Sequence, residues 1–264
     1  MKINLSAVII TFNEEKNIKR CVESLEDLAD EILVLDSFST DATKSICSRL
    51  GVRFVEHPFS GHKEQKNHAT SLAKYNYILS LDADEALSGP LRKEIRGVKQ
   101  NWQADAYRFN RLTRYGKKWI YHSNWYPDAK IRLFDRQKAR WGCRHEKASL
   151  HEFIQTDKGA HIKHIPGDLL HYSFSSISEH VQKIDHYTTL AAQEDFDCGK
   201  KIYIIHHLFF RPFRYFVKAY LRKRGFLDGM EGFIICVISS FDIFLRYAKL
   251  KELRKSSSFQ NHSS

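Results

Sequence analysis

The apolar positions fall first into short runs separated by amphipathic stretches. Residues 5–11 form a β-branched apolar run, the pattern of a buried strand. Ile18, Cys21, Val22 and Leu25 then recur at helical spacing, with Asn13 as the expected N-cap and Glu14 and Glu15 suiting the first turn. Further strands are expected at residues 31–35, 52–56 and 77–81, with helices at 42–50 and 65–74. Strands alternating with helices imply right-handed βαβ units and a parallel sheet covered on both faces. Residues 107–114 and 130–136 read as strands of alternating apolar and basic positions. Residues 178–196 read as a helix with Tyr187, Leu190 and Ala191 inward.

Beyond residue 200 the pattern changes. Residues 202–216 and 232–247 are strongly apolar, but Arg211, Pro212 and Arg214 interrupt the first and Asp242 the second. A spanning helix needs about 20 apolar residues, so neither segment reads as one. Flanked by Lys218, Arg222, Lys223 and Arg224, they read as interfacial, the alternative being a helical hairpin packed on the preceding domain. Residues 256–264 are polar and expected to be disordered.

Charge follows the same division. Residues 200–264 hold 13 of the 42 Lys and Arg against four acids, whereas residues 1–199 hold 29 against 27. Of the net charge of +11, +9 therefore belongs to the C-terminal quarter and points to an anionic partner there. The basic residues flank apolar helices rather than interleave with aromatics on a sheet, which favours an anionic membrane surface and argues against nucleic acid. A hydrophobic content of 42% supports a sizeable core. The five cysteines lack C-x-x-C spacing, which argues against structural zinc and a disulfide framework. Met1-Lys2-Ile3-Asn4 leads straight into a strand, without the apolar core of a signal peptide.

The candidate chemistry centres on Asp82-Ala83-Asp84-Glu85, three acids within four residues at a strand's end. Crowded carboxylates repel unless a cation joins them, and Asp82 and Asp84 would face one way on a regular strand. Hard carboxylate oxygens suit Mg²⁺ or Mn²⁺ shared with substrate phosphates. The plain alternative is a solvated acidic turn before a helix capped by Ser88 or Asp84. The polar clusters at Thr11 and Asn13, at Asp36 and Asp41, and at Asp82 and Asp84 all follow strands, where open α/β sheets bind ligands. Neither G-x-G-x-x-G nor a P-loop is present, which disfavours dinucleotide-binding and P-loop folds.

Three of these stretches carry a resemblance: residues 6–15, Asp36-Ser37-Phe38-Ser39-Thr40-Asp41, and Asp82-Ala83-Asp84-Glu85. In this order they resemble the nucleotide-binding half of family 2 glycosyltransferases, which have the GT-A fold. Gln65-Lys66-Asn67, Trp125-Tyr126-Pro127-Asp128, Ile131-Arg132-Leu133-Phe134, His145-Glu146-Lys147, Leu170-His171-Tyr172-Ser173 and Gly225-Phe226-Leu227-Asp228-Gly229 narrow the likeness. The set is similar to bacterial lipopolysaccharide core heptose β-glucosyltransferases. Phe38 departs from the pattern, which more often has a small residue there.

The resemblance implies an α/β, GT-A type fold, a mostly parallel sheet flanked by helices, with a C-terminal helical, membrane-associating appendage. The catalytic domain would span residues 1–175, donor half 1–100 and acceptor half 101–175, followed by a helical region at 176–255. Activity would be inverting transfer of a hexose, glucose from a UDP-sugar donor, to a lipopolysaccharide core acceptor, with Mg²⁺ or Mn²⁺. Donor contacts would come from Thr11, Phe12, Asn13, Glu14, Asp36, Gln65, Lys66, Asn67, Asp82 and Glu85. Asp84, Asp82 and His171 would hold the metal, and Trp125, Tyr126, Arg132 and His145 the acceptor. Glu146 is the implied general base, with Asp128 in reserve and His151-Glu152 a local echo of the His145-Glu146 pair. The expected location is the cytoplasmic face of the bacterial inner membrane, peripheral or monotopic. Transfer to a polyprenyl phosphate or a surface polysaccharide, and a non-catalytic membrane-binding or nucleic-acid-binding module, are the alternatives.

Overall fold

The computed structural model describes residues 1–143 and 152–260, which form two compact units. The first comprises Met1–Thr113 and Asp128–Ser173, the second Arg114–Pro127 and Phe174–Ser264. The chain thus divides differently from the expected linear order: a short arm inside the first unit's sequence belongs with the C-terminal helices.

In the first unit β1 (Leu5–Thr11), β2 (Glu31–Asp36), β3 (Arg53–Glu56) and β4 (Tyr77–Asp82) pair in parallel in the order β3-β2-β1-β4. Helices α1 (Ile18–Glu23), α2 (Thr43–Arg49) and α3 (His62–Leu72) make the crossovers. Ile18, Cys21, Val22 and Leu25 are all buried, as their helical spacing predicts. After β5 (Glu85–Leu87) and α4 (Gly89–Gln100), whose N-cap Ser88 accepts the Leu91 N–H, the sheet turns antiparallel. It takes in β6 (Ala106–Tyr115) and, past the short β7 (Lys118–Trp119), β8 (Asp128–Asp135). β9 (Ala139–Cys143) and β10 (Glu152–Thr156) form a separate ribbon, and β11 (Ile162–Phe174) pairs antiparallel with β5. The core lies on both faces of the parallel strands, with Leu5, Ile9, Leu33, Leu35, Ile78 and Leu79 fully buried. This is the GT-A type arrangement.

The second unit is built on α5 (Ile177–Asp197), α6 (Arg211–Val217) and α7 (Gly229–Gln260). The inward face of α5 is His180, Ile184, Thr188, Ala191, Ala192 and Asp195, whereas Tyr187 and Leu190 are exposed, contrary to the sequence expectation. The face turns because polar partners are available inside: Asp195 takes both Nε and Nη2 of Arg246 at 2.8 Å. Helix α7 continues to Gln260, past the expected onset of disorder at residue 256.

Asp228 fastens the arm to the helices. It is buried, and its carboxylate accepts the N–H groups of Tyr121 and His122 at 3.2 and 2.9 Å and lies 3.0 Å from His122 Nδ1. The turn that carries it needs a backbone approach that excludes side chains: a Cβ on Gly232 would lie 2.0 Å from Gly225 O. Gly232→Ala should therefore destabilise the protein by about 1–3 kcal/mol, the range for overpacking. Gly97→Ala, in open space on α4, should be neutral or slightly stabilising. Urea unfolding of both variants checks this; equal midpoints would mean that the approach is not a constraint.

Candidate active site

Parallel register sets the strand-end loops side by side, with Thr11 opposite Asp36 and Ile10 opposite Asp82. The first two loops are clasped together. Asn13 donates its N–H to Ser39 Oγ at 2.8 Å and accepts the Thr40 N–H at 2.8 Å. The N–H of Glu14 reaches Thr43 Oγ1 at 2.9 Å, and that of Glu15 reaches Asp41 at 3.0 Å. Asn13 does this at φ +54°, a left-handed conformation that Asn tolerates. It does not cap α1, which begins at Ile18 behind Asn17; its side-chain oxygen is used on the neighbouring loop instead.

Asp36 is fully buried and accepts the Ser39 N–H at 2.7 Å and hydroxyl at 2.5 Å. Phe38 sits at φ +63° with its ring exposed, so the bulky residue occupies the left-handed turn without displacing Asp36. Phe12 is also exposed and takes no part in the core. Thr11 Oγ1 is buried with no hydrogen-bond partner among the described residues.

The acids after β4 meet a set of buried cations. Arg132, on β8, donates through Nη2 to Asp82 at 2.9 Å and to Glu85 at 2.7 Å, and is only 4% exposed. It was expected on the acceptor side; its place beneath the acids follows from the antiparallel pairing of Leu133 with Leu79. Lys66, on the inward face of α3, lies 3.0 Å from Asp82 Oδ1 and 2.7 Å from Glu152 Oε1. At 3% exposure its ammonium is spent inside the protein rather than offered to solvent. Burial alone would raise the Asp82 pKa, but Lys66 and Arg132 hold the carboxyl far below the usual carboxylate range. Arg111 adds a contact to Glu85 at 3.7 Å and grips Asp128 Oδ2 through Nε and Nη2 at 3.1 and 2.9 Å. Lys130 takes the other Asp128 oxygen at 3.0 Å.

Pairing of β5 with β11 places His171 opposite Glu85, and the Tyr172 N–H donates to Asp84 O at 2.9 Å. His171 Nε2 thereby lies 3.3 Å from Asp84 Oδ2, while its Nδ1 meets Thr113 Oγ1 at 3.2 Å. Gln65 and Asn67 serve the framework. The Gln65 amide donates to Ser37 Oγ and His57 O, and Asn67 exchanges two hydrogen bonds with the Trp141 backbone. That exchange fixes β9 to α3, and β9 carries β10 with Glu152 at its start. The indole of Trp141 lies under both Lys66 and Arg132, 4.4 and 5.2 Å from their charges.

Trp141 and Glu152 are the contributors that sequence reasoning did not assign; the repeated His-Glu pair was the one available signal for Glu152. Trp125 packs in the second unit against Tyr115, Phe174 and His180, and Tyr126 faces Tyr121. His145 and Glu146 lie outside the described residues.

Residues 6–155 match the model of the family described as glycosyl transferase family 2. The chain is a family 2 glycosyltransferase. It is 32% identical to an uncharacterised glycosyltransferase of Rickettsia typhi over 94% of this chain and 87% of that one. It is 30% identical to the lipopolysaccharide core biosynthesis glycosyltransferase LpsC of Rhizobium meliloti over 94% and 92%. Among solved structures, the Mycobacterium tuberculosis glucosyl-3-phosphoglycerate synthase in complex with Mn²⁺, UDP and glucosyl-3-phosphoglycerate is 25% identical over 42% of this chain and 44% of that chain, with a TM-score of 0.35.

In this glycosyltransferase the side chains that fit a divalent cation are Asp84 and His171, one hard oxygen and one imidazole nitrogen. Asp82 was expected beside them, but two buried cations already neutralise it. Among the described residues no group of three His, Cys, Asp or Glu converges on one point, so donor oxygens would have to complete a coordination shell.

Arg132→Met should leave Glu85 buried without its closest cation. Removing one member of a buried pair costs about 3–5 kcal/mol, and we expect that loss in urea unfolding, with Arg132→Lys intermediate. An unchanged midpoint for Arg132→Met would show that Arg111 and Lys66 neutralise the acids unaided.

Proposed function

We propose that this glycosyltransferase moves glucose from UDP-glucose to an inner-core heptose of lipopolysaccharide or lipooligosaccharide, inverting the anomeric centre with Mg²⁺ or Mn²⁺. The acceptor reading is supported by the Rhizobium meliloti relative, which is named for lipopolysaccharide core biosynthesis and matches almost end to end. The nucleotide reading is supported by the Thr11 hydroxyl, buried and unpartnered beside the Asp36 carboxylate at the end of the parallel strands. The proposed site of action is the cytoplasmic face of the bacterial inner membrane, where a lipid-anchored acceptor is presented.

One observation carries the chemistry: Lys66 joins the acid cluster to Glu152, whose second oxygen, Oε2, is buried with no partner among the described residues. In an inverting transfer the acceptor oxygen bonds to the anomeric carbon on the face opposite the diphosphate. The anomeric carbon–oxygen bond breaks and its electron pair leaves with UDP. The hydroxyl proton passes to a carboxylate on the acceptor side. Glu152 is our candidate for that role: Lys66 fixes Oε1, and Oε2 has no partner among the described residues. Asp128, the reserve candidate, offers no such edge, because Arg111 and Lys130 hold both its oxygens. Asp84 and His171 would hold the divalent cation, which when bound neutralises charge developing on the leaving diphosphate.

Glu152→Gln should keep UDP-sugar affinity and lower kcat by about 10²–10⁴-fold, the usual range for loss of a general base. If Glu146→Gln shows that kinetic pattern and Glu152→Gln does not, Glu146 is the base.

Asp84→Ala should abolish transfer from UDP-glucose to a truncated lipopolysaccharide, read by mass spectrometry, while leaving the unfolding midpoint near the parent's. Near-normal turnover at every Mn²⁺ concentration would remove Asp84 from the metal site. If the parent enzyme glycosylates a polyprenyl phosphate and not the truncated lipopolysaccharide, the acceptor assignment falls.

A further inference from the structure

We infer that the second unit seats itself on an anionic phospholipid bilayer through an aromatic belt with a cationic rim, an activity independent of which sugar is transferred. The belt begins on the helical segment that runs through Ile205–Phe210, α6 and Lys218–Arg222. Ile205, Phe209, Phe213 and Leu221 are 56–68% exposed, and each lies a multiple of four residues from the next. In an α-helix a four-residue step overshoots one turn by about 40°. The first and last parts of this segment are π-type, in which a turn takes more residues and the same step falls short. The alternation keeps the four side chains in one straight row.

A second row continues the belt on α7. Met230, Phe233, Val237 and Phe241 recur at steps of three, four and four, which share one helix face, and all are exposed. Aromatic contacts join the rows: Phe216 and Tyr220 lie 6.0 and 5.6 Å from Phe233, and Tyr220 lies 6.2 Å from Phe226. An exposed apolar surface of this extent marks an interaction site. No described helix is long and apolar enough to cross a membrane.

The rim decides what covers the belt. Residues 200–227 contain eight Lys and Arg and no acid. Arg214, Lys218, Arg222, Lys223 and Arg224 are all exposed, and no carboxylate among the described residues pairs with them. The next two acids along the chain are already engaged: Asp228 is buried against His122, and Glu231 faces Lys118 at 3.6 Å. A second copy of this chain would set one cationic rim against another, since a two-fold interface brings identical patches together. An anionic bilayer meets both features at once, with lipid phosphates for the rim and the headgroup–acyl boundary for the rings.

The test uses the full chain with vesicles of phosphatidylcholine alone and with phosphatidylglycerol added, read by co-sedimentation. The parent should bind the anionic vesicles, less so as salt is raised, and bind neutral ones weakly. A basic residue near an anionic surface contributes roughly a fivefold factor in affinity, so reversing Arg222, Lys223 and Arg224 to Glu should weaken binding by about 10²-fold or more. Phe209→Ser with Phe213→Ser should weaken binding to both vesicle types. UDP-sugar hydrolysis, followed in parallel, should be retained in every variant, which separates loss of docking from loss of the fold or of the catalytic reading. The inference is overturned if the parent ignores anionic vesicles or the charge reversal binds as the parent does. It is equally overturned if Phe209→Ser with Phe213→Ser changes the mass in solution and not lipid binding, which would make the belt a subunit interface.

Discussion

Asp82, Asp84 and Glu85 crowd the end of β4, and the buried guanidinium of Arg132 bridges two of them, Asp82 and Glu85. Without cations, acids so close and so buried would protonate or force the turn open. Arg132 is supplied by an antiparallel strand and Lys66 by a crossover helix, so neutralising the turn ties together parts of the chain far apart in sequence. The two cations also share one buried indole, that of Trp141, as a neighbour. Geometry at the strand end is therefore a property of the assembled first unit and not of the D-x-D motif alone.

This explains what was legible in the sequence. The parallel strands and crossover helices declare themselves by period, because each buries an apolar face against the same sheet; Leu5 to Thr11 is read without error, and β2, β3 and β4 to within a residue at either end. The strand-end positions of Asp36 and Asp82 follow from those runs. The partner of a charge was not legible, since pairing depends on register between strands. Arg132 read as an acceptor contact because an alternating apolar and basic strand does not reveal which cations are turned inward. The inward face of α5 was misread for a related reason: its burial is organised around Asp195 and His180, polar residues that a hydrophobic pattern passes over.

Family membership fixes the class of reaction, glycosyl transfer, and the fold that performs it. The side chains set Thr11 beside Asp36 at the end of the parallel strands, Asp84 against His171, and Glu152 against Lys66. Aromatic residues of the arm belong to the helical unit, the same unit whose helices carry the exposed belt.

That arm also has a temporal consequence. The N–H groups of Tyr121 and His122 find their acceptor in Asp228, 107 and 106 residues further along the chain. At about 5–20 residues per second a ribosome takes roughly 5–20 s to deliver it. The strands before the arm can pair as they emerge, whereas the arm must wait, solvated, until the Gly225-Phe226-Leu227-Asp228-Gly229 turn has been made. Nascent chains halted before that turn would carry a paired parallel sheet and an unformed arm, so the strands of the first unit should become ordered during synthesis well before the arm does.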